Sequence, residues 1–172
     1  LSEQDKFEVL SNVKGALNPD DFENEITRLT IESIQAIKVI QGNNGELGAN
    51  RYIISNNENA LNVMETFALI RLSDWENPTV DVVPLFESVD DLLNAHNVME
   101  QLYTNPVYAN HLVNREMKQT IMLGFSDGTK DGGYLMANWS IYKAKEELTA
   151  ISRKYGIKVI FFDGRGGPPS RG

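Results

Sequence analysis

The 172-residue sequence contains no cysteine. A disulfide framework, a thiolate metal site and a cysteine nucleophile are therefore excluded. Positively charged residues are also outnumbered. The sequence has 16 lysine and arginine residues and 24 acidic residues, which give a formal net charge of -8. Binding to nucleic-acid phosphates needs clustered cations, so no nucleic-acid partner is expected. A small anionic ligand stays possible, since an acidic protein can contain a local basic pocket.

Long apolar runs are missing as well. No stretch approaches the roughly 20 apolar residues of a membrane-spanning helix, and the opening, LSEQDKFEVL, has neither region of a signal peptide. We therefore expect a cytoplasmic protein without a membrane partner. The hydrophobic fraction of 41% and the length favour one globular domain with a core. From the missing initiator methionine we expect a piece of a longer chain.

The beginning of the chain is predicted to be helical. Phe7, Leu10 and Val13 recur at helical spacing, and the pattern resumes after NPDD and continues to Ile37. We interpret residues 1–41 as a helical lead-in whose apolar stripes serve packing. The segment GNNGELGAN, residues 42–50, then breaks the pattern.

From residue 51 to residue 172, predicted strands alternate with predicted helices. The strands are RYIIS and residues 80–86, 120–125 and 158–162, the last expected to be buried on both faces. Such alternation predicts an α/β fold with four parallel strands joined by right-handed crossovers. A doubly wound sheet and part of a (β/α)₈ barrel both fit this pattern.

Two carboxylates are predicted at the carboxyl ends of strands, where ligands bind in both architectures. Glu87 follows the second strand and Asp127 the third, and their oxygens could hold Mg²⁺ or Mn²⁺. Alternatively, each could serve a helix start, Glu87 through the macrodipole and Asp127 as a cap. Lys130, in a glycine-flanked turn, could neutralise a developing charge or could simply be a solvated lysine.

The fourth strand leads into DGRGGPPSRG, which contains Asp163, Arg165, Gly166, Gly167 and Arg171. Glycines let the backbone approach a ligand closely, and guanidinium groups suit phosphate or carboxylate. The segment therefore predicts an anion site, although a solvated C-terminal tail is an open alternative.

The remaining histidines and large aromatic residues have no evident chemistry. His96 and His111 lie within predicted helices, where a surface or packing role is expected. Phe86, Trp75 and Trp139 are predicted to pack in the core or against the strands.

Three segments together resemble the phosphoenolpyruvate carboxylase family: PLFESVDDL, GFSDGTKDGGYLMANWSIYKAKEEL and DGRGGPPSRG, in this order and at these separations. The resemblance covers most of the chain from about residue 51 onward, and the preceding helices more weakly. It implies a (β/α)₈ TIM-type barrel with added helices, in a chain several times longer. Residues 1–172 would then be a single fragment of the catalytic barrel.

The resemblance also implies a reaction. Bicarbonate and phosphoenolpyruvate would give oxaloacetate and phosphate through carboxyphosphate and the enolate of pyruvate, a carboxy-lyase reaction with Mg²⁺ or Mn²⁺ as cofactor. The product would supply the tricarboxylic acid cycle. The family forms homotetramers, so a homo-oligomer is the implied assembly of the full-length protein.

The resemblance assigns roles to individual residues. Glu87 and Asp127 match the family's metal ligands, and Arg165 matches the arginine that holds the phosphoryl group or bicarbonate. Lys130 and Arg171 match basic residues of the same region. The glycines after Arg165 complete the implied substrate-binding segment.

Asp163 departs from the pattern, because most family members have histidine at this position. The resemblance therefore does not say which group assists the carboxyphosphate step in this chain. A carboxylate there would repel phosphate unless it paired with Arg165 or another cation. Other catalytic groups of the family lie in segments before and after this one, so we expect the fragment alone to be inactive. The alternative is a module that binds a small phosphorylated ligand without turnover.

Overall fold

The computed structural model describes residues 1–164, apart from the side chain of Asp131. The lead-in forms two helices, α1 (Glu3–Ser11) and α2 (Glu25–Asn44). In α2 the buried face consists of Ile31, Ile34 and Ile37, whereas Ile26, an apolar residue of the predicted stripe, is exposed. The helical prediction is therefore confirmed, with the packed face lying later along the helix than its first apolar residues suggest.

The βα units follow the lead-in. Their elements are β1 (Arg51–Ile54), α3 (Ala60–Arg71), β2 (Asp81–Phe86), α4 (Val89–Thr104), α5 (Pro106–Asn114), β3 (Lys118–Gly124), α6 (Ser126–Lys154) and β4 (Lys158–Gly164). All four predicted strands are present, and α5 is an additional helix. It begins with a proline, and the side chain of Asn105 accepts hydrogen bonds from the next free backbone N–H groups.

None of the described helices combines the length and hydrophobicity needed to cross a membrane.

The strands of the described residues form one parallel sheet in the order β1-β2-β3-β4. In a doubly wound sheet the strand order reverses at a switch point. Here each crossover leads to the next neighbour in the same direction, which is the arrangement of successive units in a (β/α)₈ barrel. The fold is thus α/β and compatible with a partial barrel, although the four strands themselves form an open sheet.

Helix α6 begins earlier than the sequence predicts. The glycine-rich segment after β3 was expected to be a loop, but the helix starts at Ser126 and is broken only at Gly133, where φ is +78°. Glycine tolerates this φ because it has no Cβ. Asp127 and Lys130 consequently lie in a helical turn directly after β3, and the prediction of a glycine-flanked turn around Lys130 is wrong.

Two burial predictions are also wrong. β4 was expected to be buried on both faces, but it is the edge strand of the described sheet and Phe162 is 48% exposed. Trp139 was expected in the core, yet it is 59% exposed and stacks on Tyr142 at a centroid distance of 5.7 Å. Phe86 is fully buried and Trp75 packs against the core, as predicted.

An aromatic cluster links helices α3 and α5 within the core. The ring of Phe67 lies 5.6 Å from that of Tyr108 and 4.6 Å from that of His111. The hydroxyl of Tyr108 donates to Gln119 on β3 at 2.9 Å, so its polar end is paired. Burial lowers the pKa of His111 to about 4, with a further contribution from Arg115. The packing role predicted for His111 is confirmed.

The buried His111 predicts how stability depends on pH. Its pKa falls from an ordinary 6.5 to about 4 on folding, so between these values the unfolded chain binds the proton more readily. The free energy of unfolding should therefore fall as pH drops from 6.5 towards 4, by on the order of 3 kcal/mol. Urea unfolding of the wild type and of His111→Phe across this range should show a shallower loss in the variant.

The chain contains one other histidine for comparison, His96, which is half-buried and 3.1 Å from Glu147. His96→Gln should keep the steep wild-type slope. Equal slopes in the wild type and His111→Phe would show that His111 is not the source of the pH dependence.

Candidate active site

Glu87 stands between β2 and α4, with its side chain available to the carboxyl edge of the sheet. Helix α4 is capped without it: the Ser88 hydroxyl accepts from the Asp91 backbone N–H, and the Asp91 carboxylate accepts from the Ser88 N–H, both at 3.1 Å. Glu87 Oε1 instead accepts a hydrogen bond from the backbone N–H of Asn56, after β1, at 3.2 Å. Glu87 therefore provides no cap for α4, and its alternative role through the helix macrodipole stays a prediction.

Asp127 lies in the first turn of α6 and binds a lysine rather than capping the helix. The N-cap position is Phe125, and the Asp127 carboxylate accepts from Lys130 Nζ at 2.6 Å. This hydrogen bond is the main reason that the pKa of Asp127 is lowered. Carboxylates from two strand ends thus lie together on one cavity, and that of Asp127 is paired with the Lys130 ammonium group.

Glycines allow this meeting. A Cβ on Gly124, the last residue of β3, would lie 2.7 Å from the Cβ of Glu87 and 3.1 Å from its Cα. A Cβ on Gly128 in α6 would lie 3.3 Å from the Glu87 backbone oxygen. Strand β3 and helix α6 therefore approach Glu87 more closely than a larger residue at position 124 or 128 would permit. Sequence reasoning missed this role, because Gly124 was interpreted as a residue of the third strand and Gly128 as part of the turn around Lys130.

A shallow cavity opens beside these groups, and its lining is polar and acidic. It is formed by Asn56, Glu58, Glu87, Ser88, Asp90, Asp91, Asn94 and Asp127. Hard oxygen donors of this kind suit Mg²⁺ or Mn²⁺, which usually take one or two carboxylates and complete their shell with water and substrate. Within residues 1–164 no group of three or more His, Cys, Asp or Glu side chains forms a metal centre. The donor set therefore fits a divalent ion held by Glu87 and Asp127 together with external ligands.

Two asparagines follow β1, and neither is seen to offer a side-chain group to the cavity through a hydrogen bond. Asn56 uses its backbone N–H, and its φ of +53° places it in the left-handed region. Asn57 is fully buried, and its side-chain amide has no hydrogen-bond partner among the described residues.

Asp163 lies near the end of β4 and is paired with a residue that the sequence did not single out. Lys145 of α6 donates to both carboxylate oxygens, at 2.7 and 2.9 Å. The sequence indicated that Asp163 would repel phosphate unless it paired with Arg165 or another cation, and Lys145 is such a cation. Arg165, Gly166, Gly167 and Arg171 lie outside the described residues, so their anion-binding role stays a prediction.

Comparison with known proteins identifies relatives of the whole chain. The family model described as phosphoenolpyruvate carboxylase matches residues 1–172. A protein of that name from Nitrosomonas eutropha is 36% identical over 154 residues, covering 86% of this chain and 16% of the relative. Its namesake from Nitrosomonas europaea is 35% identical with the same coverage. The chain thus spans 16% of the length of these two curated relatives.

The close approach at Glu87 predicts the effect of a methyl group. Gly124→Ala should lower the free energy of unfolding by about 1–3 kcal/mol, because the added Cβ meets Glu87 side-chain and backbone atoms and forces a shift. Gly42→Ala is the matched control, since a Cβ there meets nothing within 4 Å. Urea unfolding should show no loss for the control.

A double-mutant cycle identifies the clashing partner. Glu87→Gly removes the Cβ that the new methyl group meets, so Gly124→Ala should cost less in that background than in the wild type. An equal cost in both backgrounds would mean that Glu87 does not set the requirement for glycine.

Proposed function

Because the chain belongs to the phosphoenolpyruvate carboxylase family, we propose that the polypeptide that carries it forms oxaloacetate and phosphate from phosphoenolpyruvate and bicarbonate. The observation that supports this most directly is that Glu87 and Asp127 line the same cavity, with Lys130 bonded to Asp127. These residues come from two neighbouring strand ends, where the active sites of (β/α)₈ barrels lie.

In this proposal Glu87 and Asp127 hold Mg²⁺ or Mn²⁺, whose positive charge would stabilise the enolate of pyruvate. The carboxylates then balance the ion, and the hydrogen bond from the Asn56 N–H to Glu87 orients one of them. Lys130 orients the other through its 2.6 Å hydrogen bond to Asp127. Lys130 also brings a second cation to the edge where the substrates, both anions, must bind.

The proposed reaction has three steps. A bicarbonate oxygen attacks phosphorus and the bond to the enolate oxygen breaks, which gives carboxyphosphate and the enolate of pyruvate. Carboxyphosphate then releases phosphate and CO₂, and the enolate carbon attacks CO₂ to give oxaloacetate. We assign Arg165 and Arg171 to the binding of the phosphoryl group and bicarbonate, with Gly166 and Gly167 allowing close approach.

The wider setting follows from the family. We propose that the full-length protein is a cytoplasmic homotetramer and that its product supplies the tricarboxylic acid cycle. The 172 residues lack the catalytic groups that the family contributes from other segments, so we also propose that they do not catalyse the reaction alone.

The metal assignment predicts a specific loss of Mn²⁺ binding. In a titration followed by electron paramagnetic resonance, the chain should bind Mn²⁺, and phosphoenolpyruvate should strengthen binding because it completes the ligand set. Glu87→Gln with Asp127→Asn should weaken binding by at least about tenfold, through loss of both charged ligands.

A matched control separates ligation from general acidity. Glu58→Gln with Asp90→Asn removes the same number of charges from the same cavity. That variant should keep Mn²⁺ binding within about twofold of the wild type, because carboxylates that only line the cavity act through screened charge. A control variant as weak as the ligand variant would contradict the assignment.

The activity proposal predicts a clear difference between the chain and its full-length parent. With phosphoenolpyruvate, bicarbonate and Mg²⁺, the full-length polypeptide should form oxaloacetate, measured by reduction with malate dehydrogenase and NADH. The purified 172-residue chain should form none, and oxaloacetate production by the chain alone would overturn that part of the proposal.

A further inference from the structure

Asp163 places a negative charge at the edge where anions are proposed to bind. The β3–β4 register pairs Leu123 with Asp163 and Gly124 with Gly164, so Asp163 is level with the end of the strand that leads to Asp127. In sequence it stands two residues before Arg165. An uncompensated carboxylate in this position would oppose the binding of phosphate or bicarbonate.

Lys145 compensates this charge through a defined contact. Its ammonium group reaches Asp163 Oδ1 at 2.7 Å and Oδ2 at 2.9 Å, and it also lies 5.6 Å from the centre of the Phe161 ring. The ring face attracts a cation, so two groups of β4 hold the same lysine. The contact joins two elements and is unlike the neighbouring pair of Lys143 and Glu146, which are three residues apart on α6.

The pair also connects the two parts of the candidate site. Lys145 belongs to the same helix as Asp127 and Lys130, and Asp163 is the last residue but one of β4. The contact therefore fixes the end of β4 to the helix that begins at the carboxylate site, and it makes that end electrically neutral.

We propose that Lys145 is a positioning residue for anion binding. It neutralises Asp163 and holds the end of β4, so that no uncompensated carboxylate opposes an anion bound at this edge. The inference rests on the proposed function, because it assigns this pair a part in binding phosphoenolpyruvate and bicarbonate.

The test uses four variants of the full-length polypeptide at low ionic strength. Lys145→Met leaves Asp163 uncompensated and should raise KM for phosphoenolpyruvate by about three- to tenfold, with a smaller change in kcat. Lys145→Met with Asp163→Asn should return KM to within about twofold of the wild type, although it does not restore the contact. Lys145→Arg should stay near the wild type, because it keeps the charge.

Lys143→Met is the matched control, since it removes an equally charged, similarly exposed lysine of the same helix. It should leave KM unchanged. The effect of Lys145→Met should also shrink in high salt, since screening weakens exposed charges. An unchanged KM in Lys145→Met, or a double variant as impaired as the single one, would overturn the proposal, because the lysine would then be unimportant or important only for packing.

A second readout separates this inference from the proposed function. The affinity of each variant for inorganic phosphate, measured by titration calorimetry, does not require turnover. If the wild type forms no oxaloacetate but Lys145→Met weakens phosphate binding and Asp163→Asn restores it, the proposed function fails and the role of the pair stands. If the wild type binds no phosphate, there is no anion site for the pair to serve and the inference is overturned.

Discussion

The candidate site depends on how closely the end of β3 approaches Glu87. A hydrogen atom in place of a side chain at Gly124 is what allows the contact, since a Cβ would come within 2.7 Å of the glutamate. Gly128, near the start of α6, permits a second close approach, because a Cβ there would lie 3.3 Å from the Glu87 backbone oxygen. Because of this packing, the carboxylates of Glu87 and Asp127 lie on one cavity at the carboxyl edge of the sheet, where the ends of β2 and β3 position them.

At this edge of the sheet, two carboxylates are each paired with a lysine of α6. Lys130 is bonded to Asp127 within α6, and Lys145 reaches from α6 to Asp163 on β4. Both pairs are partly exposed, so each adds little to the free energy of folding. Their significance is local: among the described residues, the carboxylates of Asp127 and Asp163 each face a cation, while the cavity beside Asp127 keeps an acidic lining.

Much of the fold and part of the site could be predicted from the sequence, because alternating apolar runs and helical periods define parallel strands and place Glu87 and Asp127 at their ends. The same reasoning could not find Lys145, whose partner is 18 residues away on another element. It also missed the packing role of Gly124 and Gly128, since a glycine that permits close packing has the same sequence signal as any other glycine in a strand or a turn. The prediction for Trp139 was wrong for a related reason. An aromatic side chain in the sequence does not reveal whether another element covers it, and Trp139 is exposed.

The sheet order has a practical consequence for handling the chain. In the described sheet β1 and β4 each pair on one side only, so their outer backbone N–H and C=O groups face no strand. Such edges are templates on which another chain can add a strand, and neither edge is shielded by a closed barrel. Self-association of the purified chain would thus report this exposed hydrogen-bonding capacity, and it would say little about the subunit contacts of a full-length assembly.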